Sequence, residues 1–191
     1  CNLFIRKVAL VALGGYDPEF FDPRTGIYFR EDIEFGYRIL QRGFRIVKAA
    51  DVMVAHPRQF QSVRDAFRHV RRYYFDPLLY RKHPGAYRHS LEVKSIGPFT
   101  IHRPFHYLCS VYLLGFFLMC AALVSGAYPS AVSLLIFLLL NSYGIGYRYH
   151  RSWIPRWRSV LQGTPFLILP FYYYYWLLRG CRKFRRWALL L

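Results

Sequence analysis

The chain has 191 residues, with 27 Lys or Arg against ten Asp or Glu, a formal charge of +17. That length suffices for one domain plus further segments. Such a charge suggests a nucleic-acid-binding protein, but the basic residues flank long apolar runs, which argues against that class and for contact with membrane headgroups.

The distribution of charge says more than its size. All ten acidic residues lie before residue 105, and residues 105–191 carry nine Lys or Arg and no acid. The four cysteines, Cys1, Cys109, Cys120 and Cys181, show neither zinc-site spacing nor a disulfide framework. Cys181 sits beside a basic stretch and is a candidate for acylation. No secretory signal opens the chain. It begins with Cys and its first residues read as mid-domain sequence, so it is expected to be a fragment of a longer protein.

Residues 2–13 are apolar with one basic step, Arg6-Lys7, and periodicity alone leaves helix and strand open. Gly14-Gly15 breaks the run and Asp17-Pro18 continues the turn. Residues 18–30 read as a loop with Pro18, Pro23 and Gly26. Then Glu31 and Asp32 open a segment in which Ile33, Gly36, Tyr37 and Leu40 recur at i, i+3, i+4 and i+7, one face of a helix that Gly43 ends. Carboxylates in a first helical turn meet the positive end of the helix dipole and free backbone N–H groups. They can serve as caps, or as bases for a hydroxyl proton. Phe44 to Val47 reads as a strand. Asp51 to Ala55 reads as another, delivering His56 to its end.

The order Asn2, Arg6-Lys7, Gly14-Gly15-Tyr16-Asp17, Glu31-Asp32, Gly43 and His56 resembles the C-terminal half of the catalytic domain of family 2 glycosyltransferases, which have the GT-A fold. The resemblance covers about residues 1–56. It implies a strand over Asn2 to Ile5 and a short helix over Lys7 to Leu13. It implies Asp32 as general base, with Glu31 positioning it or binding the acceptor. It places Gly14, Gly15, Tyr16 and Asp17 on the acceptor side. It also implies a divalent metal, Mg2+ or Mn2+, which His56 would help to hold by position. No Asp-x-Asp motif occurs in the chain.

Gln61 to Phe75 reads as an amphipathic helix. Val63, Phe67, Val70 and Tyr74 form an apolar stripe, and Arg64, Arg68, Arg71 and Arg72 occupy much of the rest. Such a helix suits a membrane surface; alternatively one or two of the arginines, Arg64 among them, hold a diphosphate. Gln61-Ser62-Val63-Arg64 faintly resembles the Gln-x-x-Arg-Trp motif of processive synthases, but Asp65 stands in place of the Trp. Pro77 to Pro104 reads as a connector.

Phe105 to Val124 contains no charge and suffices to span a hydrocarbon core of ~30 Å. A turn at 125–130 leads into a second apolar run, Ala131 to Tyr147. Both outer flanks are basic, which puts them on the cytoplasmic side. A third stretch, Gln162 to Leu178, contains Pro165, Pro170 and the run Tyr172 to Tyr175. It is marginal as a span, and a re-entrant or interfacial placement fits its basic flanks better.

These readings combine into an α/β protein. A partial GT-A-like (Rossmann-like) region covers 1–60 and a basic helix with connector covers 61–104. A transmembrane hairpin covers 105–147, and a third membrane-associated segment with basic ends covers 148–191. The resemblance implies an inverting, membrane-bound glycosyltransferase at the cell (inner) membrane, multi-pass, with its catalytic part cytoplasmic. Its expected partners are a nucleotide-sugar donor, a lipid-linked or envelope glycan acceptor and membrane lipids, with no nucleic acid. The fragment by itself is expected to be inactive, since the donor half is missing. The alternative is a non-catalytic anchor or assembly module in which the acidic helix is only structural.

Overall fold

The computed structural model describes residues 3–47, 49, 51–52, 54–55, 63–150 and 164–187. The chain is mixed α/β, mostly helical, with two small two-stranded antiparallel sheets. Helix α1 (Lys7–Ala12) ends where Gly14 and Gly15 take φ of 71° and 75°, left-handed values open to glycine at little cost. Asp17 caps a 3-10 turn over Pro18–Phe20, its Oδ1 accepting the Glu19 N–H at 2.9 Å. The stretch read as loop then contains a hairpin, β1 (Phe21–Asp22) and β2 (Ile27–Tyr28), with Asp22 opposite Ile27.

Helix α2 (Glu31–Gln41) forms where the apolar period places it. It closes with the Gly43 N–H on the Leu40 carbonyl and the Phe44 N–H on the Ile39 carbonyl, a two-bond stop typical of a glycine after the last turn. The strands expected over residues 2–5, 44–47 and 51–55 are absent among the described residues, where those segments are irregular. A strand exists by pairing its N–H and C=O groups with a neighbour, and among the described residues no strand pairs with these.

The described part of the amphipathic segment is α3 (Val63–Val70) and a 3-10 stretch (Arg71–Phe75), after which α4 (Asp76–Lys82) follows. The connector folds as α5 (Pro84–Ser90) and a second hairpin, β3 (Val93–Ile96) with β4 (Phe99–His102). Helices α6 (Pro104–Val124) and α7 (Tyr128–His150) form the helical hairpin. At their contact Gly115 lies about a methyl group away from Phe137 and Leu138, each 3.4 Å from where its Cβ would stand.

Helix α8 (Leu169–Phe184) organises the core. Its Trp176 and Phe184 pack with Tyr74, Phe75, Leu78 and Leu79. Its Tyr173, Leu177 and Cys181 pack with Ala66, Val70, Tyr73 and Cys109. The stripe expected to face a membrane therefore packs against protein: Val70 and Tyr74 are buried, and the partly buried Phe67 meets the Tyr172 ring at 5.3 Å. Amphipathic spacing says that a face is buried, not what buries it. The tyrosine run also finds its reason. Successive helical residues turn by about 100°, so Tyr172 faces α3, Tyr173 reaches His106 Nδ1 at 2.8 Å, and Tyr174 reaches Ser110 Oγ at 2.6 Å. The third apolar segment thus ties α6 to the domain helices.

Among the described residues one helix, Pro104–Val124, is long and apolar enough to cross a membrane, and only 17% of its apolar window is buried inside the molecule. A core helix of a soluble domain would be mostly covered. The apolar part of α7, Tyr128–Gly144, is shorter.

Candidate functional site

Helix α2 carries two distinct polar regions. The first is a cavity of about 650 Å3 lined by the loop Gly14, Gly15, Tyr16 and Asp17, by Glu34, Arg38, Gln41 and Arg42 of α2, and by Lys82 and His83. Arg38 builds it. Its guanidinium donates to the Leu13 carbonyl at 2.6 Å and the Gly15 carbonyl at 2.8 Å, and grips the Glu34 carboxylate four residues earlier. A planar fork with five donors suits this task. Glu34, buried, also meets His83 Nε2 at 3.2 Å, while Gln41 Nε2 lies 3.2 Å from His83 Nδ1. With the amide donating to Nδ1, the ring proton sits on Nε2 and points at Glu34.

On the opposite wall Lys82 bonds Asp17 and also reaches Glu19 at 2.9 Å. Partial burial pushes the Asp17 carboxyl up. The Lys82 hydrogen bond, the Glu19 N–H and the charges of Lys82 and Arg38 outweigh that and hold it below its usual value. Burial likewise lowers Lys82, but its bonds to Asp17 and Glu19 raise it overall. The Tyr16 ring stands 5.1 Å from Phe35 and is half exposed at the mouth. The four loop residues expected to bind substrate therefore do come together, and they do so against α2.

The second region is the start of α2. Asp32 is exposed, and its Oδ1 accepts the Ile33 N–H at 2.8 Å. Glu31 is half-buried; desolvation, with Asp32 beside it, pushes its carboxyl above the usual value against the opposing pull of Arg72. Two residues of helix turn about 200°, so Asp32 and Glu34 lie on different faces, and neither Glu31 nor Asp32 lines the cavity. Arg64 is exposed on α3 and does not line the cavity. His56 lies outside the described residues. Among the described residues no group of three or more His, Cys, Asp or Glu could hold a metal ion.

Sequence reasoning missed Arg38, Glu34, Lys82 and His83. The i, i+4 spacing of Glu34 and Arg38 was visible as a helix ion pair, but not its reach to the loop. It also missed a buried ionic cluster. Arg30, 3% exposed, donates through Nε to Asp76 Oδ1 at 2.8 Å and through a terminal nitrogen to Glu92 Oε1 at 2.6 Å. Arg103 stands 3.8 Å from Asp76 Oδ2, and the Tyr87 hydroxyl donates to the same oxygen at 3.2 Å. Burial opposes the charge on Arg30, yet Asp76 and Glu92 raise it further above its normal range. Burial and Asp76 push the Tyr87 hydroxyl up as well. Removing one partner from a buried pair costs about 3–5 kcal/mol, whereas the intact pair adds little.

No family model, curated protein or solved structure matches the chain.

Proposed function

We propose that the chain is the acceptor-side part of a membrane-bound, inverting glycosyltransferase with a GT-A-like catalytic domain. The observation that carries this reading is the Arg38 clamp. It joins the double-glycine loop to the helix that bears Glu31 and Asp32, so the two motifs whose order resembles family 2 form one rigid unit. The loop's cavity would hold part of the acceptor.

In the reaction, a carboxylate oxygen of Asp32 takes the proton of the acceptor hydroxyl. The acceptor oxygen bonds to the anomeric carbon of the donor sugar from the face opposite the nucleotide. The bond from that carbon to the diphosphate oxygen breaks, and its electron pair leaves with the nucleoside diphosphate. One displacement inverts the anomeric centre. Exposure of Asp32 suits a base that must meet a substrate arriving from outside. The half-buried Glu31 would bind or orient the acceptor. Among the described residues no cluster of His, Cys, Asp or Glu offers a metal's ligands. Helices α6 and α7 would both cross the inner membrane, with the catalytic part cytoplasmic.

Steady-state sugar transfer by the purified full-length protein tests this reading. Asp32→Asn keeps a side-chain oxygen to accept the Ile33 N–H, but removes the base. It should lower kcat at least about a hundredfold, within the 10²–10⁴ that a general base contributes. Retention of more than about a tenth of the wild-type kcat would leave Asp32 a purely structural role at the start of α2 and favour the anchor-module reading.

A further inference from the structure

Three non-glycine residues with left-handed backbone, Arg30 (φ 75°), Glu92 (φ 50°) and Arg103 (φ 52°), meet in one place. Such values are uncommon outside glycine, and persist where the surroundings over-determine them. Here the surroundings are one another. Arg30 is the residue before Glu31, at the start of α2; Arg103 is the residue before Pro104, at the start of α6. The Asp76 carboxylate, wholly buried, lies between the two guanidiniums. Glu92 takes the second arm of Arg30, and its backbone carbonyl accepts the Arg103 N–H at 3.1 Å.

We propose that Arg30, Asp76, Glu92 and Arg103 form a latch that fixes the carboxylate-bearing start of α2 relative to the start of the membrane helix α6, and that Asp76 is a positioning residue for the transfer reaction. Buried ion pairs add little stability, but their bidentate geometry tolerates few arrangements. An acceptor anchored in a bilayer presents its hydroxyl at a set depth. A base tied to the residue that precedes the membrane helix is held at a matching depth. Misplacement by 1 Å costs a reaction about a hundredfold, so a latch of this kind acts on turnover rather than on donor affinity. This inference rests on the reading of Asp32 as base only for its kinetic consequence.

The test uses the full-length protein in lipid nanodiscs, with spin labels on Leu40→Cys and Leu114→Cys. Both positions are exposed, one on α2 and one on α6. Cys1 and Cys120 are replaced by Ser, while Cys109 and Cys181 are buried. Pulsed electron–electron resonance should give one narrow distance distribution, and Asp76→Asn should broaden it. The same substitution should lower kcat by about tenfold or more while donor KM stays within about twofold. If Asp76→Asn does not fold, Arg30→Gly takes its place, because glycine accepts the left-handed φ and removes the guanidinium. An unchanged narrow distribution in whichever variant folds overturns the latch. A broadened distribution in a protein whose Asp32→Asn variant still turns over leaves the latch standing and removes only the base.

Discussion

Gly180 of α8 crosses Tyr74 so closely that a Cβ on Gly180 would stand 2.1 Å from the Tyr74 carbonyl oxygen and 2.9 Å from its carbonyl carbon. The obstacle is backbone and cannot swing aside. Overpacking a core ordinarily costs about 1–3 kcal/mol, by displacing side chains. Gly180→Ala must displace a helix, so its cost should reach or exceed the top of that range. Thermal unfolding in detergent should show a large drop in Tm. Proteolysis between α7 and α8 should quicken as α8 lifts. A Tm within a degree or two of wild type would mean that the helices do not cross here.

Glu31 gives a prediction with a sign. Its carboxyl titrates above the usual 4.5 in the folded protein because it is desolvated. The folded state therefore holds the proton more tightly than the unfolded state. Stability falls as pH rises through the interval between the two values, then stays level. Glu31→Gln should remove this loss: it should be more stable than wild type at pH 7 and indistinguishable well below pH 4, in urea unfolding with far-UV dichroism. A destabilised Glu31→Gln at neutral pH would show that the ionised carboxylate is favoured where it stands.

Asp17 runs the other way. Its carboxyl is held below the usual 3.8, so it contributes stability above the unfolded value that is lost as pH falls through the folded one. Lys82, raised above 10.5, contributes below its unfolded value and loses that contribution as pH rises through the folded one. Asp17→Asn should therefore cost most between about pH 5 and 9 and converge with wild type in strong acid. A difference that persists at pH 2 would locate the effect in packing rather than in the charge.

The proposed crossing of the membrane by both α6 and α7 predicts a topology. With basic flanks on both sides and a neutral turn at 125–130, a Tyr128→Cys variant in a background without other cysteines should react with an impermeant maleimide added from outside. Labelling only after the cytoplasmic side is opened would reverse or abolish the crossing.

Much of α2 was legible. Its apolar period, acidic first turn and glycine stop are local properties, and the helix runs from Glu31 to Gln41 accordingly. The Gly14-Gly15 break and the uncharged run of α6 were local too. What was not legible is pairing at a distance. Nothing near Arg30 names Asp76, 46 residues on, and nothing in the stripe Val63, Phe67, Val70 and Tyr74 says that α8 covers it. The expected strands failed for the related reason that a strand is defined by its neighbour. The cavity was half legible. The loop Gly14 to Asp17 stood out, whereas Lys82 and His83 read as part of a connector until α4 brought them to it.

The placement of α8 also sets a timetable for synthesis. Val70 and Tyr74 leave the ribosome about 100 residues before Leu177 and Gly180, which at ~5–20 residues per second is a wait of about 5–20 s. Through that wait the apolar stripe of α3 lacks the helix that buries it in the finished molecule. The hairpin α6–α7 is made in the interval. The apolar stripe is thus covered only after the α6–α7 hairpin has been made and the chain has returned to it as α8.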